Sequence, residues 1–220
     1  LFPKFPTCWA SLPPATFPRY SVSRWEKALW NIERIPRSSK PRQVKRLEYN
    51  SLRLKRPLTV SEIVTVHYFE YASSYTFPGE SHDFWEFLYV DKGSLFVTAG
   101  STRRELSQGE LIFHAPGEFH ALEANGSVAP NLVVVSFCCQ CPDMELFRGR
   151  TFRVGPTERS LLARIIREST SAFSTPLNDP WTSGLERAER APYGGEQLLG
   201  AALEELLIRL LRRETPEPPP

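Results

Sequence analysis

Two histidines and two glutamates stand at spacings that let them share one site. Glu80, His82, Phe84 and Glu86 alternate along the chain, with Gly79 before them and Gly93 after. On a strand, alternate residues share a face. His120 comes later, four residues after Pro116-Gly117, and that turn between strands would bring it back to the same place. Imidazole nitrogens and carboxylate oxygens converging inside a barrel can hydrogen-bond a polar ligand or hold a metal ion. The expected ligand-binding set is therefore His82, Glu86, His120 and Glu80. A divalent metal, held by His82, Glu86 and His120, is the one cofactor the set suggests, and binding without any metal is the reading preferred. His114 lies just before the proline turn, outside this spacing, and is expected near the cavity mouth. His67 is expected to be a surface or packing histidine. Trp85 and Tyr89 fall on the face opposite Glu86 and are expected to pack.

Other chemistry finds little support. Cys138, Cys139 and Cys141 cluster with a C-C-x-C spacing, unlike the usual C-x2-C zinc pair, with no fourth ligand near. They read as reduced thiols, as expected for the cytoplasm. There is no phosphate-binding glycine loop, no nucleophile elbow and no His-Glu-x-x-His string. The chain is read as non-enzymatic.

The elements that must place these residues are mostly strands. From Thr59 to Phe137 the pattern is β. Thr65, His67, Phe69 and Tyr71 alternate with Val64, Val66, Tyr68 and Glu70, and Leu132–Phe137 (LVVVSF) is the strongest strand signal. Turns at Asp91-Lys92-Gly93, Gly100-Ser101, Gln108-Gly109 and Asn125-Gly126 separate six to eight strands, the pattern of a sandwich or closed barrel. A first helix, capped by Thr157, carries Leu161, Leu162, Ile165 and Ile166 on one face. A second, from about Gln197, has a broad leucine stripe: Leu199, Leu203, Leu206, Leu207, Leu210 and Leu211. That stripe can dock on the chain's own barrel or form a homodimer seam over residues 197–213.

The chain has 220 residues and a net charge of +2, but the charge is split. Residues 1–57 hold 13 Lys and Arg against 3 Asp and Glu, with eight prolines and no glycine. That composition predicts a disordered basic extension, either an unstructured leader or an arm for nucleic acid or anionic lipid. The barrel is expected over 58–150, and helices with a Pro-rich tail (Thr215–Pro220) over 151–220. No stretch approaches the ~20 apolar residues of a membrane span. The chain opens on Leu1 and its one methionine is Met144, so it reads as a piece of a longer product or a frame begun upstream.

The spacing resembles the cupin double motif. His82, Glu86 and Gly93 match the first half, with Glu80 where a first histidine would stand. Gly109, Pro116, Gly117 and His120 match the second, with the glycine-to-proline gap one residue longer. More narrowly, His82-Asp83-Phe84-Trp85-Glu86-Phe87 with Tyr89-Val90 and Gly93 is similar to the corresponding string of AraC-type transcription regulators. So is Gly109–Phe113 with Pro116 and Phe119-His120. The resemblance covers about residues 60–213. It implies a mainly β fold: a cupin-like double-stranded β-helix (jelly-roll) barrel followed by two α-helices. It also implies a small polar effector, often a sugar, a homodimer, and DNA contact only through a helix-turn-helix domain outside this chain. The alternative is a metal-dependent cupin enzyme, an isomerase or dioxygenase, using His82, Glu86 and His120.

Overall fold

The structure, a computed structural model, describes residues 48–214. The basic extension up to residue 47 and the tail 215–220 lie outside the described residues, as do Cys8, Trp25 and Trp30.

Among the described residues, nine strands form two antiparallel sheets. The first sheet has five strands: β1 (Glu62–Glu70), β3 (Trp85–Lys92), β6 (Glu110–His114), β8 (Asn131–Cys138) and β9 (Thr151–Arg153), in the order β1-β8-β3-β6-β9. The second has four: β2 (Thr76–Glu80), β4 (Ser94–Ala99), β5 (Thr102–Ser107) and β7 (His120–Ala124), in the order β2-β7-β4-β5. A 3-10 turn (Pro142–Phe147) precedes β9, and two helices follow, α1 (Pro156–Ala172) and α2 (Gly195–Glu214). Among the described residues, no helix is long and apolar enough to cross a membrane.

The central strands explain why their sequences are almost continuously apolar. β3 and β8 are covered on both faces, with six consecutive buried residues in each. Their inner side chains, Leu88, Val90, Leu132 and Val134, pack with Leu95, Val97, Leu106 and Ile112 between the sheets. Their outer side chains, Trp85, Phe87, Tyr89, Val133, Val135 and Phe137, pack under the helices with Leu161, Leu162, Ile165, Leu203 and Leu206. Trp85 and Tyr89 are therefore packing residues, as expected.

Several local expectations are corrected. Residues 80–86 are not one strand. β2 ends at Glu80 in one sheet, and β3 begins at Trp85 in the other. The chain crosses between sheets through residues 81–84, so Glu80 and His82 reach Glu86 by position in space rather than by strand alternation. β2 is missing from the sequence reading because Pro78 and Gly79 argue against a strand. Its place at a sheet edge is where proline is tolerated. The three-residue β9 is too short to leave a pattern. Helix α1 starts earlier than Thr157. Gly155 is its N-cap and Pro156 its first residue, a position where a missing N–H costs nothing. The Gly155 amide donates to Glu158 Oε2 at 2.9 Å.

The leucine stripe of α2 is used inside the chain. Leu199, Leu203, Leu206, Leu207 and Leu210 are all buried in one cluster with α1 and the outer face of the five-stranded sheet. They are not free to form a seam between copies. Only Leu211, of the six, is partly exposed.

Gly79 pins the geometry of β2. Its φ is +111°, and a Cβ there would come within 2.7 Å of the His120 carbonyl oxygen and also strike the Phe119 ring. We expect Gly79→Ala to cost about 2 kcal/mol, from left-handed strain plus displacement of β7. A urea denaturation series checks this, and an unchanged midpoint would refute it.

Candidate functional site

Four side chains with potential ligand atoms meet at one end of the barrel. Glu86 is supplied by the start of β3, His82 by the crossing segment, Glu80 by the end of β2 and His120 by the start of β7. Glu80 and His120 are direct cross-strand partners, so the turn at Pro116-Gly117 does return His120 to this place. One potential ligand atom from each of the four lies within 4.8 Å of the others.

Glu86 is the centre. It is buried, and its Oε2 accepts a 2.6 Å hydrogen bond from Ser136 Oγ, which in turn accepts one from Thr65 Oγ1 at 2.9 Å. His120 Nε2 lies 3.4 Å from Glu86 Oε1 and 3.7 Å from Glu80 Oε1, and His82 Nε2 lies 3.7 Å from Glu86 Oε2. Burial alone would raise the Glu86 pKa. The facing imidazoles of His120 and His82, the hydrogen bond from Ser136 and the charge of His120 outweigh it and hold the carboxyl well below its ordinary range. Burial likewise pulls His120 down, but the carboxylates of Glu80 and Glu86 together lift it to about 10. With no cation present, the pair is Glu86 carboxylate and His120 imidazolium.

Both site histidines are oriented in the same way. His82 Nδ1 is 3.0 Å from the Phe84 carbonyl oxygen, and His120 Nδ1 is 3.2 Å from that of Glu118. A carbonyl only accepts, so each Nδ1 carries a hydrogen and each Nε2 faces the site. Neither buried Nε2 has a hydrogen-bond partner. Backbone-anchored imidazoles that direct the other nitrogen at one point are the usual support of a metal site. The two nitrogens and two carboxyl groups thus fit a divalent ion. His82, His120, Glu86 and Glu80 are the residues that could hold it.

The cavity above this floor has a volume of about 490 Å³. His67, Phe69, Tyr71 and Tyr75 form one wall, Phe77, Leu88, Leu122 and Val134 are among its apolar lining, and Pro180–Ser183 of the α1–α2 connection lie at the mouth. His67 is a lining residue that the sequence reading left to surface or packing duty. Its Nδ1 donates to the Leu177 carbonyl oxygen at 3.2 Å, its ring stacks on Phe69, and burial lowers its pKa. The alternation of His67 with Thr65, Phe69 and Tyr71 was the available signal. His114 is not at the mouth. It is 1% exposed and lies behind His120, ring on ring at 4.3 Å. Burial and the charge of His120 push its pKa down to about 3, so it is a neutral backstop. Cys138, Cys139 and Cys141 carry free thiols and lie outside this site.

The AraC-like ligand binding domain family matches residues 62–212. The chain belongs to this family. Its two-sheet barrel with trailing helices is the mainly β cupin fold, as the double motif implied. No curated protein matches the chain. Among solved structures it is similar to a cupin superfamily protein from Desulfitobacterium hafniense, at 14% identity and a TM-score of 0.33, over 36% of this chain and 70% of that one. It is also similar to a predicted oxalate decarboxylase from Thermotoga maritima, at 17% identity and a TM-score of 0.30, over 32% and 61% of the two chains. A polyketide cyclase from Streptomyces resistomycificus gives 24% identity and a TM-score of 0.32, over 36% and 56%.

The ion pair makes the pH behaviour of the site specific. A raised His120 pKa contributes stability that is complete below about pH 6.5 and lost as pH rises through about 10. A lowered Glu86 pKa contributes stability present above about pH 4.5 and lost on further acidification. In metal-free protein, the His120 ring should therefore stay protonated at pH 8 by NMR. In Glu86→Gln it should titrate at least one unit lower. An unaltered titration would show that Glu86 does not set the charge of His120.

Proposed function

We propose that this chain is the effector-sensing part of a transcription regulator. The observation that carries this reading is the cavity itself: one end bears His82, Glu86, His120 and Glu80, and residues 180–183 of the α1–α2 connection also line it. A small molecule held there would touch both sheets and residues 180–183. The same connection is tied to the barrel wall by the Tyr68 amide, which donates to the Leu177 carbonyl oxygen at 3.0 Å. Filling the cavity would favour one placement of that connection, and with it of the helices, which is population shift by differential contact. Catalysis is not part of this reading. DNA would be reached through a domain outside these residues, in the cytoplasm. A homodimer through α2 would use its outer face, around Leu198, Ala201 and Ile208, because the inner leucines are already buried.

A compound library tests the reading by thermal shift. A ligand at a hundred times its Kd adds about 2.7 kcal/mol, which is a rise of several degrees in Tm. The rise should vanish in a folded His82→Ala/His120→Ala variant. Hits whose shifts survive that double replacement would refute the site.

The unpartnered Nε2 pair favours a second reading, in which a divalent cation occupies the floor. His82, His120, Glu86 and Glu80 would hold it, and it would supply Lewis acidity to a bound oxygen ligand. This is also the arrangement on which the metal-dependent isomerase or dioxygenase alternative depends. Elemental analysis should find near-stoichiometric metal that falls at least tenfold in His120→Ala. Metal below a tenth of an equivalent, after purification in added zinc or manganese, would exclude this reading.

A further inference from the structure

The walls of the cavity restrict its ligand more narrowly than the floor does. The wall formed by β1 and the residues that follow it is a row of stacked rings. His67 and Phe69 lie 4.7 Å apart at 17°, Phe69 and Tyr71 4.9 Å at 23°, and Tyr71 and Tyr75 3.7 Å at 8°. Phe69 and Tyr71 therefore have both faces covered by neighbours in the row. What they offer the cavity is ring edges, whose hydrogens carry the positive part of the quadrupole. Such edges suit the π-face of another ring in edge-to-face contact. They are a poor platform for a sugar, which needs an open aromatic face.

The polar groups tell against a sugar as well. A sugar ring carries hydroxyls around its whole rim, and each needs a partner once buried. Here the carboxyl and imidazole groups of Glu80, His82, Glu86 and His120 gather at one end, Thr65 and Ser136 are already engaged in the relay to Glu86, and the remaining hydroxyls are those of Tyr71, Tyr75, Thr182 and Ser183. The apolar lining, Phe77 and Leu122 from one sheet and Leu88 and Val134 from the other, can pair with nothing. No lysine or arginine lines the cavity among the described residues, while two carboxyl groups do. The one cation on the lining, the His120 imidazolium, already faces both Glu86 and Glu80, so a free anion would meet more negative charge than positive.

Resting on the reading of this cavity as an effector site, we infer that its ligand is a flat aromatic molecule with one hydrogen-bond-donating polar end, a hydroxyl or an amine. The ring lies against the edges of Phe69 and Tyr71 and against Leu88 and Val134. The polar end donates to Glu86 or Glu80. The expectation of a small polar effector then holds for one end of the ligand only, and a sugar is disfavoured.

Isothermal titration of the EDTA-treated protein at pH 7 tests this with four probes: 2-naphthol, 2-naphthylmethylamine, 2-naphthoate and D-arabinose. We expect naphthol or the amine to bind one-to-one, at least tenfold tighter than naphthoate and arabinose. Binding should weaken at least tenfold in Glu86→Gln, and also in Leu88→Gln, which puts an amide in the apolar wall. Circular dichroism and Tm of each variant confirm folding; if one fails to fold, the other and the probe ranking still decide. Arabinose or naphthoate binding as tightly as naphthol, and weakened by Glu86→Gln, would overturn the ligand class and leave the cavity reading standing. Naphthol binding unchanged in both variants would overturn both, since the probe would then sit elsewhere. No binding of either donor probe at 1 mM to folded protein would overturn the ligand class.

Discussion

A buried carboxylate needs partners, and the floor of this barrel is organised around that need. Glu86 sits in an interior rich in leucine, valine and phenylalanine, where an isolated charge would be prohibitive. It stays ionised because Ser136 donates to it and two imidazoles face it. Each partner is held in turn. Thr65 aligns Ser136, and backbone carbonyls of Phe84 and Glu118 align His82 and His120. His114 fills the space behind His120 as a neutral ring. The polar end of the cavity is thus a connected network whose Nε2 atoms on His82 and His120 are left open toward the cavity.

The rest of the architecture keeps that network at one end of an otherwise apolar container. β3 and β8 are buried on both faces, so the cavity side is separated from the helix side by two central strands that tolerate no slip in register. Side chains alternate strictly. Glu86 and Leu88 face inward, while Trp85, Phe87 and Tyr89 face the helices. The helices close the outer face with five buried leucines of α2, and the segment joining them returns to the cavity mouth. Occupancy of the cavity and placement of the helices therefore share one stretch of chain.

Much of this was legible in residue order. The alternation of β1 and the apolar runs of β3 and β8 gave the strands. The glycines and the Pro116-Gly117 turn gave their punctuation, and the leucine spacing gave α2. The convergence of His82, Glu86 and His120 was read correctly, though through a strand that does not exist: the link between Glu80 and Glu86 is a crossing between sheets. β2 escaped notice because proline and glycine are tolerated only at an edge, and an edge is a property of the assembled sheet. His67 was set aside although it alternates with Phe69 and Tyr71, because alternation does not say which face is the inside.

Sequence alone determined the donors, the strand pattern and the family, since residue type and spacing are local facts carried by the chain. Tertiary structure decided which faces are inner, where Nε2 atoms point, that the α2 leucines are spent internally and that the β1 rings cover one another's faces. Those are relations between segments far apart in sequence, fixed by packing and by hydrogen bonds to distant carbonyls, and no local pattern encodes them.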